Sequence, residues 1–243
     1  MTSDNTPLLM LDQVEKTYPG RGSSGFRLGP VQLKVAKGAT VGIMGRNGAG
    51  KTTLFQIITG NTDRTGGQMQ FSGHPHGITH HECKRQIGYL PQDPVLPRWA
   101  TADELLRYAA TLYGLPNARR AATDAMEQWD VTSFQHNPIG SCSYGMQKRI
   151  GLALATVHNP ALLVVDEPFS GLDLFHVRAL EETLVNRAKC GQATVVSTHV
   201  PLHIAALATS LVLVRNGLVT EIDNWGGMNQ SERIAQIEKA FFT

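Results

Sequence analysis

The chain has 243 residues, of which 42% are hydrophobic and 17% are charged, and its formal net charge is +2. This apolar content excludes a disordered protein, and the length suits one large domain or at most two small ones. The small net charge lacks the basic surplus of nucleic-acid-binding proteins, and the longest apolar runs are too short to span a bilayer.

The first third of the chain is predicted to form mainly strands, at residues 8–18, 31–35, 40–44, 68–71 and 87–90. Val31, Leu33 and Val35 alternate with polar residues, which is the period of a half-buried strand. The strand at 40–44 leads through a glycine-rich turn into a helix predicted over residues 52–59. Turn glycines around 68–71 predict a hairpin there, and the stretch 19–25 reads as a loop.

The rest of the chain is first helical and then alternates between strands and helices. Helices are predicted over residues 103–113, 118–129, 146–157, 174–188 and 231–242. Strands are predicted at 162–165 and 193–197, and a hairpin over 211–222 turns at Asn216-Gly217. This order implies an α/β fold with a parallel sheet covered on both faces, and the helical middle as an inserted subdomain.

A phosphate-binding motif lies between the strand at 40–44 and the following helix. It reads Gly45-Arg46-Asn47-Gly48-Ala49-Gly50-Lys51-Thr52 and is called the phosphate loop below. Its glycines let the backbone curl, so that N–H groups and the helix N-terminus face phosphate oxygens. We expect Lys51 to reach the β- and γ-phosphates of a nucleotide and the Thr52 hydroxyl to ligate Mg²⁺.

A second polar site follows the buried strand at 162–165, which ends in Asp166-Glu167. The carboxyl ends of parallel strands meet at one edge of a sheet, so Asp166 is expected to face Mg²⁺ beside Thr52. Glu167 is placed to accept a proton from an attacking water. The alternative interpretation is a pair of solvated acids at a strand end.

The order of these motifs resembles the nucleotide-binding subunit of ATP-binding-cassette transporters over roughly residues 8–222. Four further segments carry the resemblance: Tyr89-Leu90-Pro91-Gln92, a signature segment at residues 142–146, Ser170-Gly171-Leu172-Asp173, and Ser197-Thr198-His199. The resemblance implies a P-loop NTPase with a RecA-like parallel-sheet core, an antiparallel β subdomain and an inserted α-helical subdomain. It implies one domain over 1–243, with the core roughly at 1–91 and 159–243 and the helical subdomain at 92–158.

The resemblance also implies a head-to-tail pair of subunits with ATP between them, each ATP on the phosphate loop of one and under the signature of the other. Gln92 would sense Mg²⁺ and the attacking water, His199 would hold the γ-phosphate, and Asp173 would act across the interface.

Contacts to ATP are implied for Tyr18, Gly45, Asn47, Gly48, Ala49, Gly50, Lys51, Thr52, Thr53, Ser143, Gly145 and Asp173. Catalytic roles fall to Glu167, His199 and Gln92, and metal contacts to Thr52, Gln92 and Asp166. Tyr18 would stack on adenine, and the alternative is an ordinary tyrosine at a strand end.

The signature segment reads Cys142-Ser143-Tyr144-Gly145-Met146 and departs from the commonest form. Ser143 and Gly145 stand where the family contacts the γ-phosphate. Tyr144 replaces a glycine and Met146 a glutamine, and neither is assigned a role. This form resembles the subgroup that serves exporters with separate membrane subunits, while a plain helix cap is the alternative.

The function implied is ATP hydrolysis that drives transport, as export, by separate transmembrane permease subunits. The partners expected are a second nucleotide-binding subunit, as a homodimer, and those permeases, with no nucleic acid. The polar N-terminus and three scattered cysteines fit a cytoplasmic protein, here peripheral on the membrane through its permeases. The alternatives are a soluble ATPase of the same superfamily acting in translation or DNA repair, and a nucleotide-binding module without turnover.

Two groups outside these motifs have open interpretations. One contains possible ligands of Zn²⁺ or Cu²⁺ in a stretch that otherwise reads as a solvated loop: His74, His76, His80, His81 and Cys83. The other is Val95, Leu96 and Trp99, which either contact a membrane-subunit helix or pack within the helical subdomain.

Overall fold

Two sheets organise the part of the chain that the computed structural model describes, which is residues 6–19, 25–74 and 81–242. The strands are β1 (Leu9–Tyr18), β2 (Phe26–Val35), β3 (Thr40–Gly45), β4 (Gly66–Phe71), β5 (Ile87–Leu90), β6 (Leu162–Val165), β7 (Ala193–Ser197), β8 (Ser210–Arg215) and β9 (Leu218–Glu221). The helices are α1 (Lys51–Ile58), α2 (His81–Lys84), α3 (Ala102–Leu112), α4 (Ala118–Gln128), α5 (Tyr144–Thr156), α6 (Leu174–Lys189), α7 (Pro201–Leu207) and α8 (Gln230–Phe242).

The larger sheet has six strands in the order β5-β6-β7-β3-β8-β9 within the described residues. All neighbouring pairs are parallel except β8 and β9. Every residue of β6 and β7 is buried, as are five of the six in β3, because a parallel sheet is covered on both faces. The predicted α/β fold with a parallel sheet is confirmed, and β3, β6 and β7 end at the same edge.

The hairpin predicted at Asn216-Gly217 is also confirmed, with Arg215 of β8 paired to Leu218 of β9. Asn216 and Gly217 have φ of 48° and 81°. Two successive positive φ values are what a tight two-residue hairpin turn requires, and Asn-Gly provides them at little cost.

The smaller sheet is antiparallel, with the order β2-β1-β4. The segment 68–71, predicted to form a hairpin, belongs to β4 and pairs with β1, and Phe71 also forms an antiparallel bridge with His74 across a turn. Gly67 has φ of 76°, and a Cβ there would collide with the Gln13 backbone. This glycine therefore allows the close approach of two strands. Of the predicted loop at 19–25, residues 20–24 lie outside the described residues.

The helices α3, α4 and α5 all lie between β5 and β6 along the chain and pack on one another. Thr101 and Glu104 form a reciprocal capping box at the start of α3. At the other end of the group, Trp129 Nε1 donates to Thr156 Oγ1 at 2.8 Å. These helices begin and end within two residues of the predicted positions. Among the described residues, no helix is long and apolar enough to cross a membrane.

Candidate functional site

The phosphate loop connects the buried strand β3 to α1, whose inward face is buried. Gly48 and Gly50 have φ of 77° and 115°, a region that glycine enters without steric cost. Gly50 is the N-cap of α1, so the curled backbone runs directly into the positive end of that helix. Lys51 Nζ donates to the carbonyl oxygens of Gly45 and Arg46 at 2.7 and 3.3 Å, which holds its charge within the loop.

A cavity of about 390 Å³ opens over this loop. Its lining is formed by Tyr18, Phe26, Arg46, Asn47, Gly48, Gly50, Lys51, Thr52, Thr53 and Gln92. Most of the residues expected to contact a nucleotide are therefore brought together. Gly45 and Ala49 do not line the cavity, and the Ala49 carbonyl accepts from Gly217 N at 2.9 Å.

One wall of the cavity is aromatic. Tyr18, at the end of β1, is 36% exposed, and its ring centroid lies 6.4 Å from that of Phe26. The two residues pair across β1 and β2. Sequence reasoning missed Phe26, because it predicted this strand only over residues 31–35, whereas β2 begins at Phe26. Flat apolar side chains at this position can pack against a purine face.

The carboxylate of Asp166, at the end of β6, is 1% exposed and held from two sides. Thr52 Oγ1 donates to Asp166 Oδ2 at 3.1 Å, and Ser197 Oγ donates to Asp166 Oδ1 at 2.5 Å. A hydroxyl and a carboxylate in contact are the hard oxygen ligands that Mg²⁺ prefers, so these residues fit that ion. Sequence reasoning gave Ser197 no role, although it ends the buried strand next to β6.

Glu167 is also buried rather than solvated, and its contacts fix it at the same edge. Its backbone N–H donates to Ser197 Oγ at 2.9 Å, and its Oε2 lies 2.9 Å from His199 Nδ1. The His199 backbone N–H donates to the same oxygen at 3.3 Å, while the imidazole is 74% exposed. A buried carboxylate with an exposed imidazole partner is suited to proton transfer at this edge of the sheet.

The signature segment meets residues 170–173 on a second cavity, also of about 390 Å³. Ser143 caps α5, accepting from Met146 N at 3.3 Å, and Asp173 caps α6. A Cβ on Gly145 would lie 2.6 Å from the Gly171 carbonyl oxygen, so the two segments touch through their backbones. This cavity and the one over the phosphate loop share no lining residue.

Asp173 has a local partner on its own helix. It accepts from His176 N at 3.0 Å and lies 2.8 Å from His176 Nδ1. These hydrogen bonds, the one to the backbone N–H first, lower the pKa of the Asp173 carboxyl. The structure thus places Asp173 beside Ser143 and Gly145, and away from the phosphate loop.

The possible zinc or copper ligands lie largely outside the described residues, which exclude His76, His80 and the side chain of His81. Cys83 is buried, which raises the pKa of its thiol. Within the described ranges, no group of three or more His, Cys, Asp or Glu residues is placed to hold a metal ion.

The apolar residues after Gln92 divide into two kinds. Leu96 packs against the larger hydrophobic core, as expected for packing inside the helical part. Val95 and Trp99 are 96% and 84% exposed, so internal packing does not account for them.

A family model described as ABC transporter matches residues 28–170. The chain is 31% identical over 214 residues to the uncharacterized ABC transporter ATP-binding protein YhaQ of Bacillus subtilis, covering 86% of this chain and 69% of that protein. It is also 31% identical over 212 residues to ATP-binding cassette sub-family A member 7 of Mus musculus. That match covers 86% of this chain and 10% of the mouse protein.

Solved structures share the fold. One described as the ATP binding subunit of an ABC transporter has a TM-score of 0.81 and 26% identity, covering 95% of this chain and 99% of that chain. Another is the ATP-binding cassette MJ0796, a dimer in a post-hydrolysis state bound to ADP and Pi. Its TM-score is 0.79 at 24% identity, covering 88% of this chain and 97% of that chain.

Proposed function

This chain belongs to the ABC transporter family and is an ATP-hydrolysing, ATP-binding subunit of it, and we propose that it works as one half of a pair that drives separate membrane subunits. The observation that carries the proposal is the group at the edge of the larger sheet. There Thr52, Asp166, Ser197, Glu167 and His199 form one connected set of hydrogen bonds beside the cavity of the phosphate loop.

On this proposal, the phosphate loop binds the β- and γ-phosphates through its N–H groups and Lys51, while Thr53 adds a contact. Tyr18 and Phe26 pack against adenine. Thr52 and Asp166, with Gln92 beside them, would hold Mg²⁺, which when bound neutralises charge on the transferring phosphoryl group. The loop contacts fix the phosphates before reaction, so positioning supplies much of the catalysis.

Glu167 is the proposed general base, since its buried carboxylate accepts the proton of the attacking water. His199, oriented by its contact with Glu167 Oε2, contacts the γ-phosphate with its exposed ring. Gln92 lines the cavity over the phosphate loop and orients the water. Each group has a fixed position in the fold, as charge stabilisation by preorganised donors requires.

The second half of each site comes, in this proposal, from another copy of the chain. Ser143, Gly145 and Asp173 share a cavity that contains no residue of the phosphate loop, so one chain supplies two half-sites. Ser143 and the N-terminus of α5 would contact the ATP that the partner copy holds. The dimeric, post-hydrolysis structure of MJ0796 supports a pairing of this kind.

The proposal also assigns a surface of this chain to a membrane partner. We assign Val95 and Trp99 to the surface that contacts a permease subunit, because both side chains are almost fully exposed after Gln92. Residues 92–158 would move relative to the core at 1–91 and 159–243 and transmit closure to the permease. The pair would act at the cytoplasmic face of the membrane, and the form of the signature favours export.

The test is ATP hydrolysis by the purified chain, measured as phosphate release with Mg²⁺ present. Lys51→Ala is expected to abolish nucleotide binding or turnover, because it removes the cation of the phosphate loop. Lys34→Ala is the matched control, since Lys34 is exposed on β2. A wild-type chain without turnover, or a Lys51→Ala variant with unchanged kinetics, would overturn the proposal.

A further inference from the structure

Tyr144, which has no role in the proposed chemistry, lies where three functional segments meet. Its hydroxyl is 3.0 Å from the Gln92 carbonyl oxygen and 3.1 Å from Asp93 Oδ1. A tyrosine hydroxyl donates one hydrogen bond, and both neighbours are acceptors. Burial and the contact with Asp93 raise the pKa of the Tyr144 hydroxyl, so it remains a donor at neutral pH.

Lys148, one turn further along α5, strengthens this connection. Its Nζ donates to the same Gln92 carbonyl at 2.6 Å, and the side chain is fully buried. The ammonium also lies 5.8 Å from the centroid of the Tyr144 ring. A buried cation needs such partners, because an unpaired charge in the interior is costly. Two side chains of α5 therefore hold the main chain at Gln92.

The ring of Tyr144 contacts a second segment, at Gly171. Gly171 has φ of 78°, and a Cβ there would collide with the Tyr144 ring. The ring thus lies against the backbone of residues 170–173, which Gly145 also touches. One side chain contacts the segment after β5 through its hydroxyl and the turn before α6 through its ring.

We propose that Tyr144 is a positioning residue that couples the two ATP sites of the pair, by joining Gln92 to the signature helix α5 and to Gly171. The inference rests on the proposed function, in which Gln92 serves the ATP on its own chain and Ser143 serves the ATP of the partner. Since the main chain of Gln92 is bonded to the first turns of α5, a shift of Gln92 displaces Ser143 and Gly145 with it.

The experiment compares Tyr144→Phe with the wild type by hydrogen exchange and by kinetics. Phenylalanine keeps the ring on Gly171 and removes only the hydroxyl. Without nucleotide, the backbone amides of Gln92, Asp93 and Val95 are expected to exchange several-fold faster in the variant, while its melting temperature stays close to that of the wild type. For ATP hydrolysis, kcat falls several-fold with little change in KM, and the Hill coefficient for ATP falls towards 1.

Tyr108→Phe is the matched control, because Tyr108 is exposed on α3, and it is expected to change none of these values. Asp93→Asn keeps an oxygen acceptor for Tyr144 and should preserve the wild-type exchange rates, whereas Asp93→Ala should not. In the Tyr144→Phe background, Asp93→Ala should add little further exchange. Full additivity of the two substitutions would overturn the proposal.

The two proposals fail separately. Hydrogen exchange without nucleotide needs only the folded chain, so a wild type that does not hydrolyse ATP would overturn the proposed function and leave the exchange result to decide on Tyr144. A wild type that hydrolyses ATP, with unchanged exchange and Hill coefficient in Tyr144→Phe, would overturn the coupling role alone.

Discussion

Glu167 adopts an unfavourable backbone conformation at a position that the proposed chemistry requires. It has φ of 47°, an uncommon conformation for a residue with a side chain, and persists there because Ser197 and His199 bind it. Strain of this kind is found where a side chain must point in a direction that regular structure does not allow. Here the chain turns at the end of β6 so that two successive acids face the same edge.

Glu167→Gln is expected to slow ATP hydrolysis by about 10²-fold or more, because the amide cannot take up a proton. ATP binding should remain, since the substitution preserves the size of the side chain, and the ATP-bound variant should elute as a dimer in gel filtration. Glu182→Gln on the exposed face of α6 is the control. Hydrolysis at the wild-type rate by Glu167→Gln would remove Glu167 from its proposed role.

Ser197→Ala tests a residue that sequence reasoning missed. The substitution removes a donor to Asp166 and an acceptor from Glu167 N, and leaves both groups buried. A loss of about 1–3 kcal/mol in the free energy of unfolding is expected from unsatisfied buried groups. Urea unfolding and phosphate release should both report it. Ser210→Ala, at the start of β8, is the control, and equal stability of the two variants would contradict the interpretation.

At the scale of elements, the sequence predicted buried strands better than it predicted strand partners. β5, β6 and β7 have the predicted bounds because short apolar runs between polar residues define them. β2 begins at Phe26, although only residues 31–35 were predicted, since Gly29-Pro30 reads as a break. Pairing with β1 continues the strand across that break, with Tyr18 opposite Phe26. Tertiary pairing of this kind leaves no local pattern, which is why Phe26 was missed.

The same reasoning explains the helices and the site. α1, α3 and α5 follow clear apolar spacing or a motif, whereas α7 has only seven residues and starts at Pro201, so no period was visible. The site residues on the phosphate loop and at Asp166 were predictable because they form contiguous motifs. Ser197 and Lys148 contact the site from other elements, and only the fold reveals those contacts.

Asp173 is the N-cap of α6 and gives a prediction at the scale of an element. Asp173→Ala is expected to lower the free energy of unfolding, since it removes the acceptor of His176 N. Asp173→Asn should retain most of that stability, because asparagine is an equally good cap. Urea unfolding of both variants checks this, and equal losses would contradict the capping role.

At the scale of the whole molecule, His158 connects the helical segment between β5 and β6 with the larger sheet. Its ring stacks on Tyr113 at 3.8 Å, and Nε2 lies 3.2 Å from the Ile87 carbonyl oxygen at the start of β5. Burial lowers the pKa of His158 from 6.5 to about 4. The folded state therefore favours the neutral ring, while the unfolded chain takes up a proton near pH 6.5.

It follows that His158 lowers the free energy of unfolding as the pH falls from about 6.5 to about 4. The loss is about 1–3 kcal/mol after allowance for the partial exposure of the ring. His158→Phe keeps the stacked ring and cannot titrate, so its free energy of unfolding should depend less on pH across that window. His136→Phe, at an exposed position, should retain the wild-type slope. Urea unfolding at several pH values measures both, and a parallel slope in His158→Phe would contradict the argument.

The division of each ATP site between two chains can be tested by mixing variants that are inactive alone. Ser143→Arg is expected to damage the signature half of both sites in its own dimer, and Lys51→Ala the phosphate-loop half. In a mixed, head-to-tail dimer, the intact phosphate loop of one chain meets the intact signature of the other, while the second site carries both lesions. Random pairing then restores no more than about a quarter of wild-type turnover.

The double variant Lys51→Ala/Ser143→Arg mixed with Ser143→Arg forms no intact site and should stay inactive. If each site were complete within one chain, mixing the two single variants would restore nothing, because every chain carries a lesion in its own site.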